Sequence, residues 1–170
     1  MRKMLFLGAI VLLSGCVVSP QLEGNALQQV RASIAEDEGA IKFFIVAIWL
    51  PNSMEFRFSA VEPVVKGIAV ITEKSFLFQQ WGGPTGLTTI KRIPLVEIKD
   101  ASMITFGMSG RLVIRTDSDK YDSFAASDGA GEISVRAGST EMYEVLSALI
   151  NKSKRSRQMP NTSLKRDAAR

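Results

Sequence analysis

The stretch GIAVITEKSFLFQQ, residues 67–80, carries the strongest structural signal in this chain of 170 residues. Two apolar runs, Ile68–Thr72 and Ser75–Gln80, flank the polar pair Glu73-Lys74. β-Branched and aromatic residues favour strands, and a two-residue polar connection is typical of a tight hairpin. The sequence therefore predicts an antiparallel hairpin at this point.

Several more strands are predicted after this hairpin. The segment Trp81–Gly86 is rich in glycine and is predicted to be a loop. Thr88–Ile98 is a strand pair or one bent strand, because Pro94 cannot donate a hydrogen bond to a central ladder. The remaining predicted strands are Ser102–Phe106, Arg111–Thr116, Lys120–Phe124 and Glu132–Arg136.

The segment before the hairpin predicts one helix. Asn25 is a candidate N-cap, and the helix is expected to end near Gly39. Leu27, Val30 and Ile34 would line one side of it, and such a narrow stripe favours docking on a surface over deep burial.

The sequence between this helix and the hairpin favours strands. Ile41–Leu50 is almost continuously apolar, which is typical of a buried strand, and a continuation of the first helix through residues 41–49 stays open as the alternative. Residues 54–60 alternate between apolar and polar side chains, which is the period of a half-exposed strand.

A helical period appears near the end of the chain. Ser139 or Thr140 is the expected N-cap, and Glu141 lies in the favourable first turn. The apolar stripe stops at Asn151, so residues 153–170, rich in Lys, Arg and Ser, are predicted to be a disordered basic tail. The stripe itself lies on one helix face and consists of Met142, Val145, Leu146, Leu149 and Ile150.

The predicted order of short antiparallel strands and one closing helix resembles the GRAM and bacterial pleckstrin-homology-like (PH-like) superfamily. The resemblance covers about residues 65–150 and implies an α+β fold, a small antiparallel β-barrel or bent sheet closed by the C-terminal helix. Members bind phosphoinositides, peptides or other proteins, and some only scaffold. The residues that carry the resemblance are Gly67-Ile68, Val70–Thr72, Phe76–Phe78, Ile93–Leu95, Ile98 and Arg111–Ile114.

No binding residue carries over from this superfamily. Its phosphoinositide binders cluster basic residues in the loops that join their first strands. Here Lys66, Lys74, Lys91 and Arg92 are scattered, and only the last two are adjacent.

The N-terminus resembles a bacterial lipoprotein signal. Arg2 and Lys3 precede the apolar run Met4–Leu13, which is about half the ~20 residues needed to span a bilayer. The following Leu13-Ser14-Gly15-Cys16 resembles a lipobox. The resemblance implies acylation of Cys16 and cleavage before it.

Four segments with different roles are therefore expected along the chain. They are a signal peptide at 1–15, an acylated Cys16 with a tether to residue 24, a single PH-like domain at 25–152, and the basic tail at 153–170. In Gram-negative relatives an Asp after the Cys favours inner-membrane retention. Val17 at that position implies the outer membrane, facing the periplasm.

Composition excludes several kinds of chemistry. The chain has one cysteine and no histidine, which removes disulfide frameworks, multi-cysteine metal sites and histidine-based nucleophile pairs. The aspartates within 117–128 lack the Gly and Glu that an EF-hand loop needs at its sixth and twelfth positions. We therefore expect no metal, no cofactor and no enzymatic activity.

Charge is distributed unevenly along the chain. The formal net charge is +4, yet residues 16–150 carry 12 basic against 16 acidic residues. The positive charge belongs to the termini, so a nucleic-acid-binding domain is disfavoured.

Trp81 is the best candidate contact residue, because it precedes a glycine-rich loop. The sequence thus favours a membrane-anchored, non-enzymatic module that binds an envelope protein. The alternative is a module that binds lipid or another anionic surface through the basic tail.

Overall fold

The computed structural model describes residues 25–51, 64–82, 86–107, 109–116, 121–127 and 136–158. Two helices, α1 (Ala26–Ala32) and α2 (Arg136–Gln158), flank the strands in sequence. Short 3-10 turns occur at Glu36–Glu38 and Leu95–Glu97. The seven strands are β1 (Ile41–Pro51), β2 (Val65–Thr72), β3 (Ser75–Trp81), β4 (Leu87–Pro94), β5 (Ile98–Phe106), β6 (Ser109–Thr116) and β7 (Tyr121–Ala126).

The strands form one bent antiparallel sheet that does not close. Its order is β4-β3-β2-β1-β7-β6-β5, so β4 and β5 are the two edges. β1 is the long central strand: it pairs with β2 from Ile41 to Trp49 and with β7 from Ala47 to Pro51. One strand thereby joins the β2–β4 half of the sheet to the β5–β7 half.

The main core lies on the concave face of this sheet. Phe76, Phe78 and Phe124 are fully buried there together with Met142 and Leu146 of α2. The apolar face of α2 covers this side of the sheet, so the helical period predicted from residue 142 onward is confirmed.

A second, smaller core lies on the convex face. Val30 of α1 packs against Ile68, Val70 and Leu77, which point away from the main core. β2 and β3 are therefore covered on both faces, which explains why residues 67–80 are so continuously apolar.

The β2–β3 hairpin is confirmed, and its turn is stabilised locally. The hydroxyl of Thr72 accepts hydrogen bonds from the backbone N–H groups of Ser75 at 2.9 Å and Lys74 at 3.3 Å. A threonine hydroxyl bonding two residues ahead is a known turn-stabilising contact.

The first helix differs from the prediction. It ends at Ala32 and not near Gly39, and Asn25 makes no side-chain capping hydrogen bond. Val30 is buried as expected, whereas Leu27 is 44% exposed. Residues 41–50 are strand, so the alternative of a longer first helix is wrong.

The second helix also begins and ends elsewhere. It begins at Arg136, so Ser139 lies inside the helix, where its buried hydroxyl accepts the Ala126 N–H at 2.9 Å. It continues to Gln158, so residues 153–158 are helical and the predicted disordered tail does not start at 153. Within the described ranges, no helix has both the length and the apolar character that crossing a membrane requires.

Several predictions fall outside the described residues. These are the signal peptide at 1–15, Cys16, the tether at 17–24, the strand at 54–60, most of the strand at 132–136, and the tail from 159 to 170.

Candidate functional site

The pairing register places several strand termini at one end of the sheet, which we call the loop end. β1 ends there at Pro51, β2 begins at Val65, β3 ends at Trp81 and β4 begins at Leu87. β7 also begins there, because Asp122 pairs with Pro51. The opposite end, with the start of β1 and the β2–β3 turn, is called the hairpin end.

A polar cluster faces the concave interior near the loop end. The indole N–H of Trp49 donates to Asp122 Oδ1 at 2.9 Å, and Lys91 Nζ lies 2.8 Å from Asp122 Oδ2. The Asp122 side chain is only 2% exposed. Its carboxylate is therefore shared between β1 and the edge strand β4, which lies on the other half of the sheet.

Aromatic rings surround this cluster. The ring of Trp49 stacks on Phe124 at a centroid distance of 6.3 Å and meets Phe78 at 5.8 Å, while Lys91 Nζ lies 5.5 Å from the Trp49 centroid. Offset and tilted aromatic pairs and a cation over an indole are favourable geometries. Because Lys91 and Asp122 satisfy each other, this cluster holds β4 against β7 and is not itself an open ligand site.

The outer edge of β4 is a different kind of surface. No strand in the described part of the chain pairs with it, so a row of backbone N–H and C=O groups is available for pairing. The register slips by one residue opposite Phe78 and Gln79, which leaves Ile90 without a partner residue in β3. Ile90 is 39% exposed at this bulge, and Thr88 and Arg92 on either side of it are also exposed.

Trp81 lies beside the start of this edge strand. It is the last residue of β3, pairs with Leu87, and is 43% exposed. The turn after it is closed by a 2.7 Å hydrogen bond from the Gly82 N–H to the Gly86 carbonyl, with Gly86 at a φ of 77°. Glycine tolerates this left-handed conformation, so the loop composition that singled out Trp81 has a structural basis.

The other sheet edge is less accessible. α2 packs against β5 and β6, and Lys154 of α2 donates through Nζ to the carbonyl oxygen of Lys99 on β5 at 3.2 Å. β4 therefore offers the more open edge of the two.

A second polar cluster lies at the hairpin end. The carboxylate of Glu38, which is 3% exposed, bonds Arg92 of β4 through one oxygen, and its Oε2 lies 3.2 Å from the Thr72 hydroxyl. Burial alone would raise the pKa of Glu38, but the hydrogen bonds from Arg92, Ser75 and Thr72 outweigh burial and hold this pKa below its ordinary value. The segment between α1 and β1 is thereby fixed over the hairpin.

An exposed ion pair continues this cluster across the surface. Lys42 Nζ lies 2.6 Å from Glu73 Oε1, and the hydrogen bond from Lys42 is the main cause of the lowered pKa of Glu73. Lys42 also borders a groove formed with the C-terminal turns of α2.

The sequence found only part of these surfaces. Trp81 was singled out and is exposed, and its role as a contact residue stays a prediction. Cys16 lies outside the described residues. Ile90 was missed because a bulge cannot be read from residue types, and Asp122 was missed because its partner Lys91 lies 31 positions away in sequence. Within the described ranges, no group of three or more Cys, Asp or Glu side chains could hold a metal ion.

Comparison with known proteins shows the fold alone. No family model matches the chain, and no curated protein matches it. An apo structure of an activated truncation of Vav1 is similar, with a TM-score of 0.53 and 13% identity over 73% of this chain and 32% of that chain. Vav1 inhibited by an allosteric inhibitor gives a TM-score of 0.52 and 12% identity over 72% of this chain and 31% of that chain.

The chain thus spans about a third of the Vav1 chains that it matches. The Vps36 N-terminal PH domain is similar at a TM-score of 0.44 and 12% identity, over 69% of this chain and 86% of that chain. The predicted fold class is confirmed: a seven-stranded antiparallel bent sheet followed by a C-terminal helix gives this chain a PH-like fold.

Proposed function

We propose that this chain is a lipid-anchored envelope protein whose PH-like domain binds a protein partner and catalyses no reaction. The observation that carries the proposal is the outer edge of β4, which is unpaired among the described strands and flanked by the exposed apolar side chains of Ile90 and Trp81. A PH-like fold is consistent with an interaction module that binds protein or lipid.

An unpaired edge strand binds by strand addition. An extended segment of a partner can satisfy the outer backbone groups of β4, and its alternate side chains then contact what projects beside the edge. The indole of Trp81 would supply apolar contact area with a polar N–H at its rim. The partner segment is therefore expected to be extended and to carry an apolar side chain that reaches Trp81 or Ile90.

The site is rigid enough for such a role. Lys91 points inward from β4 to Asp122, and Arg92 is held by Glu38, so both charged side chains of this strand are tied to other elements. A preorganised edge loses little conformational freedom when a partner strand adds.

The anchor rests on the N-terminal sequence. Arg2 and Lys3, the apolar run Met4–Leu13 and the lipobox-like Leu13–Cys16 support acylation of the Cys16 thiol, and Val17 supports delivery to the outer membrane. Two or more acyl chains on one residue would hold a protein stably, whereas one chain binds only marginally.

Mass spectrometry of the mature N-terminus tests the anchor. We expect the first residue to be Cys16 with a thioether-linked diacylglycerol, and Cys16→Ser to abolish cleavage and modification. Ser19→Ala, outside the lipobox, is the matched control and should behave as wild type. An unmodified Cys16 in the membrane fraction would refute the anchor.

Photo-crosslinking in the native host tests the protein-binding surface. With a photoreactive residue at position 88 on β4, we expect one discrete protein adduct. Ile90→Lys should abolish it, because a lysine on an edge strand opposes strand addition. Val64→Lys is the matched control, since Val64 is also an exposed apolar residue, at 53%, but lies on no part of β4.

The outcomes separate the two functions considered. A protein adduct that persists without residues 159–170 supports the edge-binding role. Adducts only to lipid, lost when those residues are removed, would favour the alternative of an anionic-surface module that uses the basic tail. An adduct unaffected by Ile90→Lys would refute binding at this edge.

A further inference from the structure

A basic groove at the hairpin end is used by neither the β4 edge nor the core. It has a volume of about 500 Å³ and lies between the start of β1 and the last turns of α2. Lys42, Lys152 and Arg157 line it with a single carboxylate, Glu73, and Ser153 and Ser156 add hydroxyl groups to its wall.

The charges in this groove do not cancel. Glu73 is satisfied by Lys42 at 2.6 Å, and the positive field of Lys152 also contributes to the lowered pKa of Glu73. The side chains of Lys152 and Arg157 are exposed on the facing helix. Three cations against one carboxylate, together with hydroxyl donors, suit the oxygens of phosphate groups.

The helix dipole does not account for this arrangement. Cations in the last turn of a helix interact favourably with its negative end, which explains Arg155 and Arg157. Lys152 lies before that turn, and Lys42 belongs to a strand on the other wall. Positive charge is therefore gathered at the groove from two separate elements.

The described N-terminus lies at the same end of the molecule. A second groove, of about 260 Å³, is lined by Leu27 of α1 and by residues 41–44 of β1, so the two grooves meet at Lys42. Leu27 is 44% exposed there and only two residues after Asn25. The predicted tether of residues 17–24 can extend by at most about 27 Å.

We infer that the hairpin end is the membrane-facing surface of this protein. Phosphate groups of anionic lipids would occupy the groove at Lys42, Lys152 and Arg157, and Leu27 would lie against the bilayer interface. The inference rests on the proposed anchor at Cys16, which would hold this end close to a bilayer. It leaves the outer edge of β4 accessible to a protein partner.

Site-resolved lysine acetylation tests this orientation. The chain beginning at Cys16 contains every described residue, and its lone thiol can be coupled to a maleimide lipid in vesicles. With phosphatidylglycerol in the vesicles, we expect Lys42 and Lys152 to react at least about fivefold more slowly than on pure phosphatidylcholine, because each basic side chain gains roughly that factor at an anionic surface. Lys66, an exposed lysine at the loop end, should not change.

Charge reversal provides the matched variants. Lys152→Glu with Arg157→Glu should remove the protection of Lys42 by phosphatidylglycerol. Lys66→Glu with Arg115→Glu reverses two charges that lie away from the groove and should leave the protection in place. Salt should reduce the protection in the wild type, because surface electrostatics are screened within a Debye length of about 8 Å at physiological ionic strength.

The failure of this inference and of the proposed function can be told apart. The lipid is attached chemically, so the acetylation result does not depend on whether a cell acylates Cys16. Equal rates on both kinds of vesicle, or equal protection of Lys66 and Lys42, would overturn the membrane-facing surface while leaving the anchor and the β4 edge untouched.

Discussion

The two ends of the bent sheet are built from different chemistry. At the loop end, Trp81 is exposed beside an open strand edge, and the charged cluster turns inward to Asp122. At the hairpin end, Glu38 is buried against Arg92, and further cations face solvent around Lys42. One end is organised for contact with backbone and apolar groups, and the other for contact with anions.

The difference teaches where an ion pair contributes to stability. Asp122 is nearly inaccessible and Lys91 only 29% exposed, so this pair lies in a low-dielectric environment. Arg92 is 49% exposed beside Glu38, so solvent screens that pair and it contributes less. The strength of each end can be measured by removing one charge at a time.

The largest expected effect is at the loop end. Lys91→Met should lower the free energy of unfolding by about 3 kcal/mol, because it leaves the Asp122 carboxylate buried with only the Trp49 N–H as a partner. Chemical denaturation would measure it. Lys66→Met, the same substitution at an exposed site, should change stability by less than about 0.5 kcal/mol.

A double variant sharpens this result. If the cost comes from the unpaired carboxylate, Lys91→Met combined with Asp122→Asn should cost less than the sum of the single changes. Additive costs would show that the pair does not couple β4 to β7.

A smaller effect is expected at the hairpin end. Glu38→Gln should cost about 1.5 kcal/mol near neutral pH, because it removes the charge that Arg92 and Thr72 bond. Glu36→Gln, an exposed position in the same 3-10 turn, should cost less than about 0.5 kcal/mol.

The pH dependence identifies the source of this effect. Because the folded-state pKa of Glu38 lies below its ordinary value, its stabilisation is complete above the ordinary value and is lost as the pH falls through the folded-state pKa. The stability difference between wild type and Glu38→Gln should therefore shrink in acid. A difference that stays constant with pH would rule out the charge as its origin.

The smallest effect on stability is expected for Trp81→Ala. The side chain is 43% exposed, so its removal should cost less than about 1 kcal/mol while it weakens the protein adduct formed from position 88. Denaturation and crosslinking on the same sample compare the two. A large loss of stability with an unchanged adduct would assign Trp81 to packing and not to binding.

The sequence predicted those parts of the fold that repeat locally. The hairpin at residues 67–80 and the helix stripe beginning at Met142 follow periods of two and of 3.6 residues, and both are confirmed. The end of α1 was wrong, because residues 36–40 are held by Glu38 and Glu73 contacts with a hairpin more than thirty positions away. Such contacts leave no local pattern.

The candidate site divides in the same way. Trp81 could be singled out because the glycine-rich loop follows it directly in sequence. The exposure of Ile90 depends on a bulge in the β3–β4 pairing, and the Lys42 groove depends on where α2 crosses β1. Both are products of tertiary structure, and residue types alone do not determine them.

The most direct test of the two-ended account is photo-crosslinking of the acylated chain in its host from two positions, 27 and 88. Position 27 lies beside Lys42 at the hairpin end, and position 88 lies on β4 near Trp81. The account predicts lipid adducts from position 27 and a protein adduct without lipid from position 88. Lipid adducts from position 88, with protein adducts from position 27, would contradict it.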